Sequence, residues 1–168
     1  MQYEFLKINN NEIFEGPILL TPNLFNDQRG FFYESWNFKV FNKIIGRKIN
    51  FVQDNHSKSS KGVLRGLHYQ LNPYSQGKLK RCTAGKIFDV IVNLKKNYSQ
   101  YKKWIGIELN DLEKKQLWIP EGFAHGFLCL SNLAEVEYKT NNYWNKNYER
   151  SIIWNDPDLA IKWPLDFL

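Results

Sequence analysis

The sequence predicts an all-β protein, a sandwich or barrel of short antiparallel strands with a few short helices. Three observations predict it. The chain carries 12 Phe, 9 Tyr and 6 Trp, residue types that suit half-buried strands better than helices. Its apolar residues fall in short alternating or continuous runs closed by Gly, Pro, Asn or Asp. A length of 168 residues, with no repeat or low-complexity linker, favours one domain over residues 1–168 rather than two small ones.

The elements follow in order. Residues 13–20 and 30–36 read as two early strands, the second after the turn Asn26-Asp27-Gln28. Apolar residues recur at helical spacing over residues 38–45, which predicts a helix. Strands are then expected at 51–55 and 63–70, with the polar stretch 53–61 forming one strand end plus a loop. Residues 78–94 read as a hairpin turning at Ala84-Gly85-Lys86, its second arm apolar except for Asp89. Residues 104–109 and 116–119 form a further pair, joined through Asn110-Asp111. Strands at 126–130 and 135–141 complete the set. In the last, Val136 and Tyr138 share one face, and Glu135, Glu137 and Lys139 the other.

The net charge of +6 fits nucleic acid, an anionic membrane or a phosphorylated small molecule. The lysines are scattered rather than clustered, so a solvated surface accounts for most of them, and neither nucleic acid nor membrane is expected as a partner. Cys82 and Cys129 have no paired framework or CxxC spacing, which argues against disulfides and zinc. The opening MQYEFLKINN lacks an apolar signal core, and no stretch approaches the length of a membrane span. A cytoplasmic location is expected.

Polar residues inside apolar strands are the informative ones, because their burial is costly unless partners or function offset it. The run GVLRGLHYQ at 62–70 holds Arg65, His68 and Gln70. In an ideal strand His68 and Gln70 share a face and Arg65 points the other way, although Gly66 allows a bend that re-aims Arg65. The run IPEGFAHGF at 119–127 holds His125, Lys78 follows Gly77, and Tyr138 lies in the last strand. Taken singly, the histidines and Tyr138 also read as core residues and Lys78 as a surface one. A metal site would use His68 and His125 with Gln70 as a poor third ligand. Lys78 stands where a carboxylate ligand is needed, and its charge repels a cation, so no metal is expected.

These motifs closely resemble the dTDP-4-dehydrorhamnose 3,5-epimerase family. GVLRGLHYQ, QGKL at 76–79 and IPEGFAHGF carry the resemblance, with DQRGFFYE at 27–34, FVQDN at 51–55 and IIWNDPDLAIKWP at 152–164 in the same order. The resemblance implies an antiparallel cupin-like (jelly-roll) β-barrel, a homodimer with strands exchanged across its interface, and a nucleoside-diphosphate sugar substrate. It implies His68 as the base, Tyr138 as the acid on the opposite face and Lys78 as the partner of the 4-keto oxygen. No cofactor is implied, because the ketone itself activates the neighbouring protons. By the same resemblance Arg29, Glu34, Gln53, Asn55, Arg65, His125 and Glu149 contact substrate. Trp144 stacks on the nucleotide base, and Phe32 lines the base pocket from the neighbouring subunit.

One departure stands out. After its Trp-Pro the family usually carries a short segment whose Asp orients the catalytic histidine. Here Trp163-Pro164 is followed by Leu165-Asp166-Phe167-Leu168, and Asp166 lies too close to be that residue. Without a carboxylate partner His68 is expected to be a weaker base. A reduced or altered epimerase, a substitute carboxylate such as Asp89, or a sequence lacking its tail all fit, and Asp89 also reads as a structural hydrogen-bonding residue. A single-carbon epimerase on another 4-keto sugar and a non-catalytic sugar-nucleotide-binding protein are the alternative functions. A ketoisomerase is disfavoured by Tyr138 in its epimerase position.

Overall fold

The computed structural model describes residues 1–8 and 11–165. The elements run β1 (Gln2–Lys7), β2 (Ile13–Thr21), β3 (Phe25–Asp27), β4 (Gly30–Phe32), α1 (Phe38–Ile45), β5 (Gln53–Ser60), β6 (Leu64–Gln70) and β7 (Lys78–Ala84). They continue with β8 (Lys86–Asn93), β9 (Trp104–Asn110), β10 (Gln116–Ile119), β11 (Phe123–Cys129), β12 (Leu133–Thr140) and β13 (Glu149–Ser151). Two antiparallel sheets hold most of them, in the orders β1-β2-β10-β7-β12-β5 and β13-β6-β11-β8-β9. The β3–β4 hairpin stands apart as a two-stranded ribbon. This is the cupin-like antiparallel architecture that the sequence predicts, with a single helix among the described residues instead of a few.

Apolar residues cover both faces of both sheets. Between the sheets lies a core built on Phe14, Leu117, Ile91, Phe123 and Val136. The outer face of the six-stranded sheet is covered by α1, whose Phe41 packs edge-on against Trp118 with ring centroids 5.3 Å apart. Leu159 and Trp163 in the C-terminal segment cover the outer face of the five-stranded sheet. The helix starts where Asn37 caps it, its side chain accepting from the backbone N–H groups of Lys39 and Val40 at 3.0 and 3.1 Å. It ends at Gly46, whose φ of 74° suits glycine.

Several pairings differ from the sequence reading. β7 and β8 do not form a hairpin, because they belong to different sheets and the single residue Gly85 hands the chain from one to the other. β9 and β10 are likewise separated, with β9 on β8 and β10 between β2 and β7. Short turns imply hairpins only when both strands bury their faces on the same side, and in a two-sheet fold the chain repeatedly crosses the gap. The polar stretch 53–61 is strand through Ser60, since alternate residues turn inward and its backbone pairs with β12 along the whole length. The second early strand stops at Phe32, and neither β1 nor β13 carries a pattern strong enough to be read from sequence.

The feature that matters most for the site is an irregularity between β6 and β11. His125 pairs with His68 and Phe127 with Arg65, so Gly66 and Leu67 together oppose the single residue Gly126. Such a bulge reverses side-chain parity, which puts Arg65 and His68 on one face although they are three residues apart. Gly66 thus bends the strand and re-aims Arg65 as the sequence suggests. It adopts a φ of 130°, and a Cβ there would meet Gly126 Cα at 2.4 Å. Gly66→Ala is therefore expected to cost about 3 kcal/mol or more, read as a lowered urea midpoint. An unchanged midpoint would show that β6 can leave β11 freely.

Candidate active site

A cavity of about 470 Å³ opens between the two sheets. Its lining includes Arg65, His68, Lys78, His125, Tyr138, Trp144 and Glu149, seven residues singled out from the sequence. β6, β11 and β13 of the five-stranded sheet supply Arg65, His68, His125 and Glu149, while β7 and β12 of the six-stranded sheet supply Lys78 and Tyr138. The histidine and the tyrosine therefore stand on opposite walls.

The walls meet at a buried contact. Lys78 Nζ lies 2.8 Å from His125 Nε2, and both side chains are buried. An ammonium can only donate, so Nε2 accepts and the proton of this neutral ring sits on Nδ1. That Nδ1 has no hydrogen-bond partner among the described residues. Burial, reinforced by Lys78, Lys80 and His68, holds His125 well below the usual imidazole range. Burial also pulls Lys78 down to about 8, with Lys80 adding to the shift and Glu149 and Asp89 opposing it. Among the described residues no group of three or more His, Cys, Asp and Glu could hold a metal ion.

The two opposing residues have matching proton states. Burial lowers the pKa of His68, Glu149 partly offsets this, and Lys78 and Arg65 reinforce it, which favours the free base at neutral pH. Burial and Glu149 raise Tyr138, with Arg65 opposing, so its phenol keeps its proton. The Tyr138 ring lies beside the lysine, 5.9 Å from Lys78 Nζ to its centroid. The site thus offers a base on one wall, an acid on the other and an ammonium at the junction.

Other residues fix the rim. Gln70 is buried, donates to the carbonyls of Tyr74 and Tyr143 at 2.6 and 3.2 Å, and accepts from Asn145 N at 2.6 Å. It thereby ties down the segment that carries Trp144. Gln53 accepts from Trp144 N at 3.1 Å and donates to Asn55 at 2.9 Å, so these two predicted contacts sit behind the tryptophan. Arg65 donates to Ser59 Oγ at 2.9 Å and to the Lys58 carbonyl at 3.1 Å. Arg29, Phe32 and Glu34 do not line the cavity of their own chain. Arg29 pairs with Asp27 and is 85% exposed, Phe32 is 71% exposed, and Glu34 accepts from Asn37.

Sequence reasoning missed Lys80. It is fully buried in the cavity wall and ion-paired with Asp89. Asp89 does face the interior, but its partner is this lysine and not His68. A lysine two residues beyond Lys78 in an inward-facing strand was the available signal.

An acid–base cavity held between two antiparallel sheets defines a cupin-like site for a small polar molecule. The sequence pattern of the dTDP-4-dehydrorhamnose 3,5-epimerase family matches residues 12–168. The chain belongs to that family. The dTDP-4-dehydrorhamnose 3,5-epimerase of Shigella flexneri is 57% identical over 148 residues, 88% of this chain and 82% of that protein. The dTDP-6-deoxy-D-glucose-3,5-epimerase of Legionella pneumophila, solved in complex with dTDP-4-keto-L-rhamnose, aligns with a TM-score of 0.88 at 42% identity, covering 97% of this chain and 84% of that one. The Bacillus anthracis dTDP-4-dehydrorhamnose 3,5-epimerase with TDP and PPi bound gives 0.89 at 43% identity, covering 97% and 91%.

Burying Lys78 has a consequence for stability. Its folded pKa of about 8 lies below its unfolded value of 10.5, so the buried ammonium is a penalty present in full below pH 8. From about pH 8 to 10.5 the unfolded chain binds more protons than the folded one, and the penalty shrinks as pH rises. Lys78→Met is expected to be more stable than the unchanged chain at pH 7 by up to about 3 kcal/mol. Urea denaturation at several pH values should show that gap narrowing above pH 8, whereas a constant gap would contradict the burial argument.

Proposed function

We propose that the chain catalyses cofactor-independent 3,5-epimerisation of dTDP-4-dehydro-6-deoxy-D-glucose to dTDP-4-dehydro-L-rhamnose, as a single-domain cytoplasmic enzyme. The observation that carries this reading is the placement of His68 and Tyr138 on opposing walls of one cavity. Inversion requires removing a proton from one face of a carbon and returning one to the other. A proton beside a ketone is acidic because the carbanion delocalises onto oxygen. His68 takes the proton from the carbon flanking the 4-keto group, and the electron pair moves into the enolate. Lys78 donates to the enolate oxygen, and Tyr138 delivers a proton to the opposite face of the same carbon. As the ketone re-forms, the proton shared with its oxygen returns to Lys78, solvent takes the proton from His68 and restores that of Tyr138, and repeating the cycle at the second flanking carbon completes the reaction. Arg65 and Glu149 face the substrate from the cavity wall, and Trp144 offers its exposed ring to the nucleotide base. An arginine fork suits the diphosphate.

The active form in this reading is a homodimer. The β3–β4 ribbon projects Phe25, Phe31 and Phe32 into solvent, with Arg29 at its turn, and three exposed aromatic rings on a two-stranded hairpin call for cover. The partner subunit supplies that cover and receives Arg29, Phe32 and Glu34 at its own cavity.

Two experiments test this. Proton NMR in deuterated water should show the sugar gaining deuterium at carbons 3 and 5 with the unchanged chain. Tyr138→Phe should lose inversion by about 10²–10⁴-fold while keeping part of the exchange. Exchange at one carbon alone would make the enzyme a single-carbon epimerase, and full turnover by Tyr138→Phe would remove the acid. Second, mixing His68→Ala with Arg29→Ala chains should restore roughly a quarter of the original activity, because half the dimers then hold one intact site of two. No recovery would place Arg29 outside the partner's cavity.

A further inference from the structure

The buried pair Lys80–Asp89 has no part in the scheme above, yet it abuts that site. Lys80 follows Lys78 by two residues on β7, so both side chains point between the sheets. Asp89 reaches the same space from β8, opposite Phe127 on β11. The ammonium of Lys80 lies 4.2 Å from the centroid of the Phe127 ring, and its carboxylate partner is fully buried. An apolar pair of similar size would fill this space at no loss of stability, because taking two charges out of water generally costs what their attraction returns. Retaining an ion pair beside a reacting ammonium calls for a reason at the site.

We propose that Lys80 and Asp89 are positioning residues for Lys78: the pair clamps β7 to β8 and sets a second ammonium behind the first, so that Lys78 is held on His125 as a proton donor to the cavity. The inference rests on the epimerase reading for its link to catalysis. The groups facing Lys78 are Lys80 on its own strand, Asp89 on β8, His125 on β11, Tyr138 on β12, His68 and Arg65 on β6, and Glu149 on β13. Lys80 acts against the Lys78 cation more strongly than Asp89 supports it. The pair is thus a local dipole whose positive end favours loss of the Lys78 proton, which is what donation to an enolate oxygen requires. A distant structural salt bridge would leave that proton unaffected.

The test is a nitrogen NMR titration of Lys78 Nζ in lysine-labelled protein, its signal assigned by its loss in Lys78→Met. The unchanged chain should titrate near pH 8. Lys80→Gln/Asp89→Asn keeps a hydrogen bond and removes both charges, and there the midpoint should move to higher pH. Lys80→Met/Asp89→Leu, an apolar pair that fills the same space and leaves no buried charge unpaired, should move it in the same direction and serves if the first double variant does not fold. The basic limb of the epimerase kcat profile should follow, with kcat lower by about 10- to 100-fold and KM unchanged. A Lys78 midpoint unmoved in a folded variant, with only thermal stability lost, would overturn the proposal and leave a structural ion pair. Isotope exchange by the unchanged chain separately decides the epimerase reading, since the titration needs no substrate.

Discussion

Two lysine ammonium groups buried between two β-sheets are the constraint on which the rest of this structure depends. An unpaired charge in such a place costs several kcal/mol, and the fold answers each one differently. Lys80 receives a carboxylate from the facing sheet. Among the described residues Lys78 receives a neutral imidazole, together with the fields of Glu149 and Asp89. The first arrangement neutralises a charge, and the second leaves one available. That asymmetry turns one end of the space between the sheets into a site while the other end remains an apolar core.

The two-sheet architecture then supplies what inversion chemistry needs. A proton must leave one face of a carbon and arrive at the other, so base and acid have to be separated by the substrate. Strands of a single sheet would present both from the same side. Here His68 and Tyr138 come from different sheets, and the cavity between them is the gap that the core leaves open. The bulge at Gly66 adds Arg65 to the wall that already carries His68, a placement unavailable to a regular strand. Strands carry His68, Lys78, His125 and Tyr138, and a loop held by Gln70 carries Trp144, so the cavity joins a rigid floor to a rim fixed by side-chain hydrogen bonds.

The same division explains why three of the expected substrate contacts lie away from the cavity. Arg29, Phe32 and Glu34 sit on or beside a hairpin whose Phe25, Phe31 and Phe32 rings are each more than half exposed. A short ribbon of this kind gains little from its own pairing and much from docking.

The sequence alone determined the β class, the helix over residues 38–45 and the shared face of Val136 and Tyr138 in β12, because these follow from periodicity, which is local. It also determined the family, and its ordered motifs singled out His68, Lys78, Tyr138 and His125, which the fold brings to one cavity. Tertiary structure decided which strands pair: the turn at Gly85 reads as a hairpin from composition, whereas burial of both strands' faces sends β7 and β8 to different sheets. Gly66 marked where a bend could re-aim Arg65, but tertiary structure decided that the bend is a one-residue bulge against β11 that puts Arg65 on the wall of His68. It decided, too, that Asp89 belongs to Lys80. Partners of buried charges are chosen across the space between sheets, and no spacing along the chain encodes that distance.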